Sequence, residues 1–282
     1  MEEFRSRGAP LEYWFIKVRS GDLSFLVDWI VRRGSGEAEV RISLFVRGAG
    51  RVLRTRTDTW RDSDATVHVN GCTLTPASAS GAVDDVSWDL TYDPGETRLD
   101  PVPLPAKVLH PFDLQLAGRP RAQFTGSIEV AGETFTLIDA RGTLNHYWGR
   151  RLPDAWVWVS ADGIGDRDGV VEAALIRTRL WGHRRRGVIG GYAMIDDGGR
   201  TRQILAPTYG HLSVNGTSEF FEIDAWTRGR RVTLTASAPP SAYNDLGEGI
   251  RQTLLGDVAV DGWGSSRGSA GLEVRGDLLT PG

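Results

Sequence analysis

The sequence predicts an all-β protein, and three observations carry the prediction. Hydrophobic residues recur with a period of two over short segments, turn signals separate those segments, and no segment sustains a 3.6-residue period. The stretch Glu39–Val46 shows the pattern most clearly: Val40, Ile42, Leu44 and Val46 alternate with Glu39, Arg41, Ser43 and Phe45, as a half-buried strand requires. In the first half, Leu11–Val18, Ser24–Val31, Thr66–Val69, Val86–Thr91, Ala122–Val130 and Thr134–Asp139 also read as strands. The second half adds Trp156–Ala161, Val170–Leu180, Arg186–Asp196, Arg202–Leu205, Leu212–Val214, Phe220–Trp226, Arg231–Ala236, Gln252–Val260 and Ser269–Val274. Between them, Asn70-Gly71, Ala131-Gly132, Asp197-Gly198, Asn215-Gly216 and Arg228-Gly229 supply the positive φ of tight turns. Ser241–Glu248, after Pro239-Pro240, has room for one helical turn at most. Many strands with this punctuation make a sandwich or a barrel.

Length and composition narrow the function classes. A chain of 282 residues buries two ordinary cores. Its net charge of −3 gives no electrostatic footprint for nucleic acid or an anionic membrane. The single cysteine, Cys72, excludes an internal disulfide and reads as a small buried apolar group. The start Met1-Glu2-Glu3-Phe4-Arg5 lacks a basic region followed by an apolar run, and no stretch has the length of a membrane span, so the expected compartment is the cytoplasm. Ten tryptophans stand out, because indole suits pocket walls and barrel ends. The five histidines show no ligand spacing, and no nucleophile elbow or dinucleotide loop is present, so neither a metal nor a cofactor is expected.

The proline-rich stretch from Asp100 to Pro105 reads as an extended loop within the first half. Glu12-Tyr13-Trp14-Phe15 and His146-Tyr147-Trp148 with Trp156-Val157-Trp158 look like matching openings of two related halves. On that reading an N-terminal β-barrel spans residues 1–141 and a C-terminal one spans 142–282.

These aromatic motifs also carry a resemblance. Glu12-Tyr13-Trp14-Phe15, Gly142-Thr143-Leu144-Asn145-His146-Tyr147-Trp148-Gly149 and Trp156-Val157-Trp158 resemble, in order and spacing, the superfamily of carotenoid 1,2-hydratases (hydroxyneurosporene synthases). The mid-chain stretch, with Leu152-Pro153, is similar to tocopherol cyclases, and fungal decalin-forming Diels–Alderases share the fold. The resemblance implies two tandem lipocalin-like antiparallel barrels, an apolar ligand cavity at or between them, and no cofactor. It further implies a cyclase or isomerase of a polyketide or terpenoid-like molecule, with alkene hydration or simple carriage of a lipophilic metabolite as alternatives. One position departs from the pattern. Asn145 stands where the family has an acid, which leaves Asp28, Glu12, Asp58 or Asp139 to donate a proton.

Strand alternation places His146 and Trp148 on one face and Asn145 and Tyr147 on the other. The catalytic candidates are Glu12, Asp28 and His146, a carboxylate among aromatics being either ion-paired or raised in pKa. The expected substrate wall comprises Trp14, Asn145, Trp148, Trp156 and Trp158, with Tyr209, His211 and Tyr243 as further polar groups within reach of a hydrophobic small molecule.

Overall fold

The computed structural model describes residues 5–63, 65–102, 114–166, 168–179, 187–197, 200–206 and 210–279. The chain divides into two compact units, Met1–Asp100 with Leu114–Leu152, and a second containing Pro153–Gly282.

The first unit holds β1 (Leu11–Ser20), β2 (Leu23–Arg32), β3 (Glu37–Val46), β4 (Ala49–Thr57), β5 (Trp60–Ser63), β6 (Thr66–Val69), β7 (Cys72–Leu74), β8 (Ser78–Val83), β9 (Val86–Asp93), β10 (Leu114–Val130) and β11 (Glu133–Gly149). They form one nearly closed antiparallel sheet in the order β4-β3-β2-β1-β11-β10-β9-β8-β7-β6-β5. Tryptophans fill much of the interior. Trp14, Trp29 and Trp88 pack there with Phe25, Phe124 and the aliphatic residues of β1–β3. Cys72 is buried and free, as its apolar character predicts.

The second unit holds β12 (Ala155–Ile164), β13 (Gly169–Arg179), β14 (Gly187–Asp196), β15 (Thr201–Ala206), β16 (His211–Gly216), β17 (Phe220–Thr227), β18 (Arg230–Ser237), β19 (Asn244–Asp245), β20 (Ile250–Val260) and β21 (Gly264–Arg275). Its order is β15-β14-β13-β12-β21-β20-β18-β17-β16, with β19 against β20. This sheet too is nearly closed, around a core of smaller residues such as Val157, Val159, Ala173, Phe221 and Leu272. The only helix among the described residues is the 3-10 turn Pro240–Ala242, so none is long and apolar enough to cross a membrane.

Two sequence readings change. The expected 141/142 boundary falls inside β11, which pairs with β1 from Val18↔Gly142 to Leu11↔Gly149. The two aromatic runs are therefore partners in one sheet, not the openings of two barrels. Strands β4, β5 and β8 lack a clear apolar alternation, because their side chains are small, polar or arginine-rich and mostly part-buried or exposed, and β7 alternates over only three residues. They pair nonetheless, β4 through the Arg47-Gly48 turn, where both residues have positive φ.

The long strands β10 and β11 bend at two register shifts, Arg119/Ala122 and Phe124/Gly126. Pro120 lies in the first shift, where a missing N–H is harmless. At the second, Gly126 has φ 141°, and a Cβ there would overlap the Asp89 carbonyl oxygen. β2 and most of β3 are buried on both faces, which explains why Ser24–Val31 reads as a nearly continuous apolar run.

Candidate functional site

Alternation along β1 splits the predicted residues between two faces. Toward the interior lie Glu12, Trp14, His146 and Trp148. His146 stacks on Trp14 with ring centroids 4.6 Å apart and planes 8° from parallel, and Trp148 lies 4.9 Å from it on the same strand. Glu12 is fully buried and densely bonded. It accepts from the Arg7 amide (3.0 Å to both oxygens), the Ala9 amide (2.9 Å), Ser6 Oγ (3.1 Å) and Arg33 Nη1 (2.9 Å), and lies 3.1 Å from His146 Nε2. Burial alone pushes its carboxyl up. The His146 contact, the Arg7 amide and the charges of His146 and Arg33 outweigh it and hold Glu12 below the usual carboxylate range. An acid held in its ionised form anchors the segment before β1; it does not donate protons at neutral pH.

The opposite face of the same strands carries a different cluster. A cross-strand row runs Gly118, Asn145, Phe15, Asp28, Arg41. The neighbouring row runs Leu116, Tyr147, Tyr13, Ile30, Glu39. Tyr13, Phe15 and Tyr147 form an aromatic patch with centroid separations of 5.8 to 6.0 Å. Asp28 borders it on one side, Asn145 on the other.

Asp28 is completely buried. Arg41 Nε donates to Oδ2 at 2.7 Å, and the Tyr13 hydroxyl donates to Oδ1 at 2.8 Å. Arg41 Nη2 in turn donates to the Tyr13 oxygen at 2.9 Å. Desolvation raises the Asp28 pKa above its ordinary value; Arg41 and Tyr13 oppose the shift and the charge of Glu39 adds to it. Glu39 is itself neutralised from outside by Arg56 Nε at 3.2 Å, with Arg32 and Arg54 farther off.

Asn145 is fully buried, and neither its Nδ2 nor its Oδ1 has a hydrogen-bond partner among the described residues. The space its side chain occupies exists because residue 118 is glycine: a Cβ there would overlap Asn145 Oδ1. A buried amide without partners forfeits roughly 1–3 kcal/mol. Asp58 and Asp139, the other acids the sequence offers, are exposed.

In the second unit, Trp156 and Trp158 share the face of β12 opposite the core. The Trp158 indole donates to Glu172 Oε2 at 3.1 Å, and the Trp156 indole to Glu273 Oε1 at 2.7 Å. Both carboxylates lay outside the sequence reading, although Glu172 inside the apolar stretch Val170–Leu175 carries the same signal as Asp28.

No family model matches the chain. It is 26% identical over 182 residues to two curated proteins of Mycobacterium tuberculosis, uncharacterized protein MT0513 (strain CDC 1551 / Oshkosh) and uncharacterized protein Rv0493c (strain ATCC 25618 / H37Rv). The match takes in 64% of this chain and 54% of each relative, so the chain spans about half the length of the curated relatives it matches. Among solved structures it is similar to a Nitrosomonas europaea protein described as AttH (TM-score 0.65, 14% identity, 95% of this chain and 94% of that one). It is also similar to kievitone hydratase from Nectria haematococca (TM-score 0.61, 14% identity, 98% and 91%) and to CghA (TM-score 0.63, 10% identity, 97% and 89%). What the chain shares with these structures is the fold, two nearly closed antiparallel sheets. At these identities the likeness concerns the fold.

The remaining predicted residues do not gather at either aromatic face. His211 is exposed on β16 and stacks on Trp226 at 5.3 Å. The Tyr243 hydroxyl donates to the Ser218 carbonyl at 2.5 Å, under the Arg251 guanidinium, and burial pushes its pKa up to about 12. Tyr209 lies outside the described residues. Among the described residues no group of three or more His, Cys, Asp or Glu side chains is placed to hold a metal ion. The residues that sequence reasoning passed over are Tyr13, Phe15, Tyr147, Arg41 and Gly118. Their signal was present: all but Arg41 and Gly118 belong to the aromatic motifs, on the alternate positions.

Proposed function

We propose that this chain is a cofactor-free catalyst of a non-redox cyclisation or isomerisation of a hydrophobic polyketide or terpenoid-like molecule. The observation that carries the reading is Asp28, a fully buried acid of raised pKa beside an aromatic patch. Its proton passes to an alkene or carbonyl of the substrate. Arg41 and Tyr13 then stabilise the carboxylate left behind, and the faces of Phe15, Tyr13 and Tyr147 stabilise the electron-poor carbon. The same carboxylate recovers a proton when the rearranged cation collapses, so the balance is neutral. The aromatic patch orders an extended substrate, and such ordering supplies much of a rearrangement's rate. Trp14, Trp148 and His146 support this face from the interior side of the strands, and Glu12 anchors them.

A second reading, hydration of an isoprenoid or carotenoid alkene, is favoured by Asn145. Its unpaired donor and acceptor suit a water molecule facing the protonated alkene, whose lost proton would return to Asp28. The fold-level similarity to kievitone hydratase is compatible with it.

One experiment separates the readings. Apolar compounds extracted with the full chain from its host are incubated with fresh protein in deuterated water and followed by mass spectrometry. An isomer without added water, carrying deuterium on carbon, supports rearrangement; a product gaining the elements of deuterated water supports hydration; recovery of every compound unchanged rejects both and leaves a carrier. Asp28→Asn is expected to lower turnover by about 10²–10⁴-fold, the usual contribution of a positioned acid.

A further inference from the structure

The end of the first sheet gathers more positive charge around one carboxylate than that carboxylate can offset. Arg32 on β2 and Arg54 and Arg56 on β4 all reach Glu39 on β3, which is 3% exposed. Arg56 Nε lies 3.2 Å from Glu39 Oε2, Arg32 Nη1 3.5 Å from the same oxygen, and Arg54 Nε 3.8 Å from Oε1. Register explains the convergence. Arg56 is the cross-strand partner of Glu39, and Arg54 stands two residues before it. On the other side Ile30 is the direct partner of Glu39, and Arg32 stands two residues after it. Residues spaced by two share a face, so all four side chains lie on one side of the sheet.

Three properties of this cluster point to an anionic ligand. The first is charge: three guanidinium groups against one carboxylate leave two positive charges in excess. Glu37, the cross-strand partner of Arg32, is exposed, accepts from Ser35 Oγ at 3.3 Å, and ion-pairs with no cation among the described residues. Guanidinium groups held this close repel one another, and an anion seated among them relieves the repulsion.

The second property is unspent donors. A guanidinium carries five N–H groups. Arg56 uses its Nε on Glu39, and Arg32 makes no side-chain hydrogen bond among the described residues. The third is access. Arg32 and Arg54 are each 30% exposed and Arg56 is 66% exposed, on a strand that ends the sheet order. The guanidinium groups thus meet solvent while the carboxylate beneath them is shielded.

We infer that Arg32, Arg54 and Arg56 form a binding site for a phosphate monoester, whose two negative charges match the excess and whose oxygens accept from the guanidinium forks. The inference goes beyond the proposed reaction and is tested without turnover.

The full chain is titrated at low salt, where exposed charges are least screened, with phenyl phosphate and with benzoate, which carries a single charge on the same ring. Calorimetry is expected to show phenyl phosphate bound about tenfold more tightly. Arg56→Gln and Arg32→Gln are each expected to weaken that binding about tenfold, whereas Arg231→Gln, on the second unit, leaves it unchanged. Sedimentation with vesicles of equimolar phosphatidylcholine and phosphatidic acid separates the two sources of such a group. Retention on the vesicles that Arg56→Gln and Arg32→Gln abolish assigns a lipid headgroup; phenyl phosphate binding without retention assigns a soluble ester. Equal affinity for phenyl phosphate and benzoate overturns the inference, and so does a loss on Arg231→Gln as large as that on Arg56→Gln. Absence of both phenyl phosphate binding and retention on the vesicles overturns it as well.

Discussion

The two barrels hold buried carboxylates by different means. In the first, guanidinium groups meet them: Arg33 at Glu12, Arg41 at Asp28, and Arg56 at Glu39. In the second, indole N–H groups do so, Trp158 at Glu172 and Trp156 at Glu273, with the Gln252 amide assisting. A guanidinium offsets a whole charge and makes an ionised carboxylate tolerable in a dry interior; a neutral indole satisfies one lone pair. The described partners of the first barrel's carboxylates are thus cations, and indole and amide N–H groups are among those of the second's. On the proposed reading, the chemistry belongs with the first.

Substitutions can break that contrast, and the largest effect is expected at Arg41. Arg41→Met removes two buried hydrogen bonds at once, to Asp28 and to the Tyr13 oxygen, and is expected to lower stability by about 3–5 kcal/mol in denaturant titrations. Trp158→Phe removes one donor from Glu172 and should lower it by only about 1–3 kcal/mol. Equal losses would erase the distinction between the barrels. Next comes Gly118→Ala, whose methyl group would overlap Asn145 and force it off its position, at about 1–3 kcal/mol of overpacking. Asn145→Leu acts in the other direction. By removing an unpartnered buried amide it is expected to raise stability by about 1 kcal/mol while reducing turnover, the signature of a polar group retained for function. A loss of stability instead would mean that the amide is structural.

The smallest expected effect is a difference of sign between two acids of the same barrel. Glu12, lowered in the fold, contributes stability that is complete above its unfolded value near 4.5 and is lost as pH falls through its folded value. Asp28, raised in the fold, contributes stability that is complete below its unfolded value near 3.8 and is lost as pH rises through its folded value. Unfolding free energies measured across the acid range should therefore lose a rising component in Glu12→Gln and a falling component in Asp28→Asn. The same slope change in both variants would contradict the assignment.

Much of this was legible in the sequence, though unevenly. Period-two alternation marks β3 and β17, and a nearly continuous apolar run marks β2, which is buried on both faces. β4 escapes it because Arg51, Arg54 and Arg56 occupy positions that are only part-buried. The motifs around Tyr13 and His146 announce a site, but alternation alone does not say which face becomes the barrel interior. Tryptophan bulk draws attention to Trp14 and Trp148, which serve as interior packing. The proposed chemistry lies on the face of Tyr13, Phe15 and Tyr147, one position away in each case. Asp28 was visible as a charge in an apolar run, whereas its partner Arg41 was not, because cross-strand register is a property of pairing and not of spacing. Gly118 carries its meaning only through the Asn145 side chain opposite.

The central claim is that the fold raises the pKa of Asp28 and lowers that of Glu12. Carbon-13 NMR titration of labelled aspartate and glutamate side chains, assigned with Asp28→Asn and Glu12→Gln, tests it directly. The account predicts that the Asp28 carboxyl titrates above its ordinary value of 3.8 and Glu12 below 4.5. An Asp28 that titrates at or below its ordinary value would contradict it.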